Sequence, residues 1–167
     1  VGVYIPVLRG TFYTPILQII DTELRAAGLH MVVAFGVGQG DARRQAIEGL
    51  AFLIERGCDG ILTMTDALED EDLAALGGKQ GHIVALNHAF RRIPDQCFTV
   101  DHVLGGRLAA RTLLDYGHRD IAVISGPMAS ADNVARIDGF MRELQAGGID
   151  TGKVWMRQSD FSPQGLS

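Results

Sequence analysis

VGVYIPVLRGTFYTPILQIIDTELRAAGLHMVVAF, residues 1–35, holds one round of a pattern that governs the rest of the chain. Val1 to Leu8 is a largely β-branched run closed by Arg9-Gly10-Thr11, which reads as a strand followed by a turn. From Phe12 to Gly28 the apolar residues Ile16, Leu17, Ile20 and Leu24 recur at helical spacing, so a helix follows. Pro15 suits its first turn, where a missing N–H costs nothing, and Gly28 stands where a left-handed residue ends a helix. Leu29 to Phe35 then returns to strand.

Outward from that unit the pattern repeats. A helix is predicted over Asp41–Arg56, a strand over Gly60–Met64, a short helix over Asp70–Leu76 and strands over His82–Leu86 and Cys97–Val100. A helix over Val103–Tyr116, a strand over Ile121–Ile124, a helix over Asn133–Gln145 and a strand over Val154–Met156 complete the series. Strands alternating with helices predict an α/β fold, with parallel sheet covered by helices on both faces. Ligands of such sheets lie beyond the carboxyl ends of the strands. The segments to read for function are therefore Arg9–Tyr13, Gly36–Gly40, Thr65–Leu68, Asn87–Phe90, Gly126–Asp132 and Ser159–Ser162.

Composition removes several function classes. An apolar share of 47% is what a folded core needs, and a net charge of -5 with scattered Lys and Arg offers no basic stripe, so this chain alone is not expected to hold DNA. No apolar run approaches the roughly 20 residues that span a bilayer. The start lacks the charged region and cleavage site of a signal peptide, so the expected address is cytoplasmic, without a membrane partner. Cys58 and Cys97 form no CxxC pair and have no zinc spacing; they read as small buried hydrophobes, and no metal or cofactor is expected.

Gly36-Val37-Gly38-Gln39-Gly40 follows a strand and invites a dinucleotide reading, but Asp41 occupies the slot of the third glycine. A carboxylate there repels phosphate and caps the next helix instead. Ser125-Gly126-Pro127 carries no nucleophile elbow, and no Ser, His and acid stand in a recognised triad order, so no catalytic residue is assigned and the chain is read as not an enzyme. Phe12 and Tyr13 are adjacent, so only one of them can enter the core and the other is left to face a ligand. Aromatic faces stack on sugar rings or bases, while guanidinium and carboxylate groups fix hydroxyls or carboxylates; Arg136 and Asp132 are the candidates for the latter. Arg136 taken alone is more often a surface residue, and Phe161 taken alone more often core.

Gly105-Gly106-Arg107-Leu108-Ala109, Tyr116-Gly117-His118-Arg119-Asp120-Ile121-Ala122-Val123-Ile124-Ser125-Gly126-Pro127 and Arg136-Ile137-Asp138-Gly139-Phe140 resemble signature stretches of the effector-binding domain of LacI/GalR-type transcriptional repressors. That domain shares the fold of periplasmic sugar-binding proteins. Val1-Gly2-Val3, Glu55 to Ile61 and Ser159 to Ser162 support the match, and Ala46-Ile47-Glu48 with Asp66 to Leu73 is most similar to the galactose and β-glucoside repressor branch. The resemblance implies two Rossmann-like lobes, a first from Val1 to Val100 and a second, incomplete, from Asp101 to Ser167, with no helix-turn-helix in this chain. It implies a small-molecule effector, a sugar or glycoside, in the interlobe cleft, a homodimer, and operator DNA bound only through the absent module. Phe12 and Tyr13 match first-lobe aromatic contacts, Arg136 the second-lobe arginine and Phe161 an aromatic wall; Asn87 is a candidate hydroxyl partner. Leu104 stands where some sugar-binding members place a carboxylate, and Ser130 and Asp132 replace residues of the purine-type members. The alternative is a periplasmic sugar-binding protein of a transport system.

Overall fold

A computed structural model describes residues 1–8, 12–75, 82–128 and 130–159. Its opening strand β1, Gly2–Ile5, is shorter than the β-branched run suggests. Pro6 has no N–H for a ladder bond, and Val7 turns aside to an isolated antiparallel bridge with Val37. Helix α1, Tyr13–Ala26, follows, and its carboxyl end closes as predicted, with Gly28 left-handed at φ 73°. Then come β2 (Val32–Phe35), α2 (Ala42–Glu55), β3 (Ile61–Thr63), α3 (Asp70–Ala75), β4 (Ile83–Leu86), a single 3-10 turn at Pro94–Gln96 and β5 (Cys97–Phe98).

These five strands form one parallel sheet in the order β2-β1-β3-β4-β5. The chain steps from β1 to one side, then crosses back to β3, so right-handed connections place α1 on one face and α2 with α3 on the other. Side-chain alternation along the strands sorts the core accordingly. Tyr4, Ala34, Ile61, Ile83 and Ala85 pack with Leu50, Leu53 and Leu73 on the α2/α3 face. Val3, Ile5, Leu17 and Met64 pack with Tyr13, Ile16, Val33 and Leu62 on the α1 face. The reversal of direction between β1 and β3 opens a crevice beyond their carboxyl ends.

The chain divides into two compact units, Val1–Thr99 and Val100–Ser167. The second holds α4 (His102–Asp115), β6 (Ala122–Ser125), α5 (Ala131–Ala146), a 3-10 turn at Thr151–Lys153 and β7 (Trp155–Gln158), with β6 and β7 parallel. Helices α4 and α5 touch through glycine. A Cβ on Gly106 would run into the Arg136 carbonyl, and one on Gly139 into the Val103 carbonyl, so only hydrogen at both positions permits the backbones to approach this closely. Glu143 on α5 ties the pair further, accepting from Arg107 Nε at 3.2 Å and from Arg111 Nη1 at 3.3 Å.

Candidate functional site

Residue placement in the first unit begins at the carboxyl end of β1. Phe12 occupies the N-cap position of α1 and is 65% exposed, while Tyr13 is half-buried against the α1-face core. Their rings meet edge to face, centroids 5.0 Å apart and planes at 85°, so the exposed ring is braced by the packed one. Asn87 follows β4 directly, exposed and with a left-handed backbone, φ 60°, a conformation Asn tolerates better than most residues. Its N–H donates to the Phe98 carbonyl at 2.7 Å, anchoring this loop to β5.

The glycine turn after β2 is stitched to α2. Asp41 Oδ1 accepts the Arg44 N–H at 3.0 Å, as an N-cap carboxylate should. Gln45 Oε1 accepts the Val37 N–H at 2.8 Å, and Gln45 Nε2 donates to the Gln39 carbonyl. One backbone donor that a phosphate would need is thus already taken by a side chain, and a carboxylate stands at the helix start.

Beyond β3 and β4 lies an open depression of about 400 Å³, lined by Leu68, Asp70, His88, Phe90 and Arg91 among others. Asp70 and Arg91 in its lining are committed to each other, and Glu69 is paired with Arg43. Asp70 accepts the Arg92 N–H at 3.0 Å and Arg91 Nε at 3.0 Å, and these bonds, the backbone one foremost, hold its carboxyl below the usual range. Asp72, buried on α3, receives a two-pronged guanidinium from Arg43, with Nε to Oδ2 at 2.9 Å and Nη2 to Oδ1 at 3.0 Å. Burial pushes the Asp72 carboxyl up, but the Arg43 hydrogen bonds and the Glu69 N–H together outweigh it and leave it lowered. Cys97 departs from the expected buried hydrophobe. Cys58 is buried, but the half-buried Cys97 Sγ accepts the Phe90 N–H and donates to the Ile93 carbonyl, both at 3.2 Å, because it stands where a loop needs both a donor and an acceptor.

In the second unit, Asn133 shapes the loop after β6. Its Oδ1 accepts the Gly126 N–H at 2.9 Å and its Nδ2 donates to the Gly126 carbonyl at 3.0 Å, which satisfies a buried amide in full view of its own helix start. One residue earlier, Asp132 Oδ1 lies 3.3 Å from His102 Nε2, and one turn later Arg136 Nη1 lies 3.2 Å from His102 Nδ1. A guanidinium only donates, so Nδ1 is the acceptor and Nε2 carries the proton toward Asp132. The imidazole thereby passes the carboxylate's pull to Arg136 without neutralising it. Arg136 itself is exposed.

The structure thus brings Phe12 together with Tyr13, and Asp132 together with Arg136, and places Asn87 directly after β4. Phe161 lies outside the described residues. Sequence reasoning missed His102 and Asn133. Asp101 was a visible signal for the former, since its Oδ1 caps α4 at the Leu104 N–H, 2.8 Å away, and marks His102 as the first helical residue. Among the described residues no cluster of three or more His, Cys, Asp or Glu is placed to hold a metal, and no helix is long and apolar enough to cross a membrane.

The family described as periplasmic binding proteins and sugar binding domain of LacI family matches residues 1–165. The HTH-type transcriptional repressor PurR of Glaesserella parasuis is 34% identical over 121 residues, which are 70% of this chain and 34% of the repressor. A LacI-family transcriptional regulator from Burkhoderia phymatum superposes with a TM-score of 0.88 at 48% identity, covering 98% of this chain and 60% of that one. A LacI-family regulator from Enterococcus faecium with bound ribose superposes with a TM-score of 0.80 at 28% identity, covering 98% and 59%. These relatives are transcriptional regulators rather than enzymes, and the chain spans about a third to three-fifths of their length.

Proposed function

Since this chain belongs to the family of periplasmic binding proteins and LacI sugar-binding domains, we propose that it is the effector-binding part of a DNA-binding transcriptional repressor rather than an enzyme. The effector in this reading is a small polyhydroxyl compound, a sugar or glycoside. The observation that carries the reading is Arg136, an exposed guanidinium in the second turn of α5 that is oriented by His102 and Asp132. Paired N–H donors on a rigid fork suit adjacent hydroxyls, and charge-assisted bonds of this kind are the strong ones. In the first unit we assign stacking on the effector to the exposed ring of Phe12, with Tyr13 as its brace, and a hydroxyl contact to Asn87. In the second we assign polar contact to Arg136 and Asp132.

Control of operator affinity follows from differential binding. An effector that favours one conformation shifts the protein by the difference in its affinity for the two states, and a full reversal of a 1:99 equilibrium takes about 5.5 kcal/mol. One stacked ring and one bidentate arginine supply energies of that order.

Thermal unfolding of the full-length protein with ribose, glucose, a β-glucoside and hypoxanthine, each over a concentration series, tests the assignment. A ligand bound only by the native state stabilises it by about 2.7 kcal/mol at a hundred times Kd, so the melting point should climb with one of the sugars and not with hypoxanthine. A rise with hypoxanthine alone would replace the sugar with a purine.

A further inference from the structure

Beneath the glycine turn, at the carboxyl ends of β1 and β2, lies a cavity of about 230 Å³ that the reading above leaves unused. Tyr4, Pro6, Ala42, Gln45 and turn residues 38–40 line it. Tyr4 is 1% exposed. One edge of its ring abuts α2 at Gly49, where an added Cβ would come within 2.5 Å of Cδ2 and Cε2, and its hydroxyl lies by Gly36. Glycine at 36 is what leaves room for it, since a Cβ there would meet the hydroxyl at 3.1 Å and the Pro6 carbonyl at 2.5 Å.

Among the described residues the one enclosed side-chain polar atom without a partner is Thr63 Oγ1, whereas Tyr4 lines this cavity and its hydroxyl opens on it. Gln45, which shares the lining, binds the turn with both ends, at Val37 N–H and the Gln39 carbonyl. Burial, with Tyr13 nearby, pushes the phenol up, so the group stays a donor. A hydroxyl that opens on a cavity can donate to an acceptor held there, and this cavity exceeds the roughly 150 Å³ that suffices for benzene in an apolar protein interior. A pyrrolidine ring, an alanine methyl, a phenol ring and glycine methylenes make its wall mostly apolar. Water needs two to four polar partners to settle, and this wall offers few.

We propose that this cavity is a binding site for a small neutral molecule carrying a flat apolar ring and one oxygen acceptor, with the Tyr4 hydroxyl as its donor. The site lies wholly in the first unit and does not depend on Arg136, so it stands or falls apart from the sugar-effector reading.

Acetophenone is the probe, with ethylbenzene as a partner of like shape lacking the oxygen, each titrated into the full chain while backbone amide shifts are followed by NMR. Saturable shifts at Gly38, Gly40, Ala42 and Gln45 are expected. Tyr4→Phe keeps the ring against Gly49 and should weaken acetophenone about five- to tenfold while changing ethylbenzene less than about twofold, the size of effect a single hydrogen bond produces. Ala42→Leu fills the cavity from the first turn of α2 and should weaken both probes by more than about tenfold. No saturable binding to the unaltered chain would mean that the cavity holds water only, and would overturn the proposal. So would acetophenone affinity that Tyr4→Phe leaves unchanged, or probe binding that Ala42→Leu does not touch. Should Tyr4→Phe unfold, the Ala42→Leu series alone decides whether the cavity is the site.

Discussion

Arg136 shows how much a single residue's role depends on its neighbours. On an exposed helix face a guanidinium contributes little to stability, and nothing in its local sequence says otherwise. His102, 34 residues away, changes that by accepting one N–H and fixing the direction of the fork. Removing it by Arg136→Ala in the full-length protein should weaken effector binding by about 1.5 to 3 kcal/mol, the loss of a charge-assisted bond, with the melting point of the free protein nearly unchanged. Isothermal calorimetry checks this, and an unaltered affinity would take Arg136 out of the site. By contrast, the Asp41 cap and the split of the Phe12–Tyr13 pair, one ring outward and one packed inward, were legible in the sequence. Capping is decided within a few residues, and two adjacent side chains on a helix cannot both enter one core.

At the scale of elements, the GG pair at 105–106 carries two opposite meanings. Gly105 has open space where a Cβ would go, whereas Gly106 has the Arg136 carbonyl. Gly105→Ala should therefore stabilise α4 by about 0.5 to 1 kcal/mol through helix propensity. Gly106→Ala should cost about 3 kcal/mol, because α4 and α5 must move apart, and the shift also withdraws His102 from Arg136. Chemical denaturation of the two variants reads the sign, and equal effects would mean that the helices do not cross at Gly106. Helix α3 supplies a second element-scale expectation. Asp70 and Asp72, and on α5 Glu143, whose carboxyl is drawn down first by the Arg107 hydrogen bond and then by Arg111, titrate lower when folded than when unfolded. Groups shifted in that direction stabilise the fold above their unfolded values, near pH 4, and lose that contribution as pH falls through the folded ones. The urea midpoint should hold from pH 7 to 5 and drop as pH falls below about 4, with Asp72→Asn showing a lower midpoint at pH 7 and a shallower acid limb.

Over the whole molecule, apolar surface is distributed unevenly. Phe98 and Val100 stand exposed near the β5 edge in the first unit and boundary region, and Ile124, Trp155 and Met156 stand exposed on the β6–β7 sheet of the second. Sheet faces this apolar normally meet a partner. The 167-residue chain by itself should bind a hydrophobic dye and elute above monomer mass, as light scattering after size exclusion would read; a dye-silent monomer would show that these side chains are covered in solution. The sequence by itself determined the alternation of strand and helix, the left-handed stop at Gly28 and the Asp41 cap, because each is settled by sterics and hydrogen bonds within one turn of backbone. Only the tertiary structure decided the strand order β2-β1-β3-β4-β5, the glycine-to-glycine crossing of α4 and α5, the placing of His102 between Asp132 and Arg136, and the cavity on which Tyr4 opens. Those depend on which distant surfaces pack together, and side chains far apart along the chain acquire their partners only when that packing is complete.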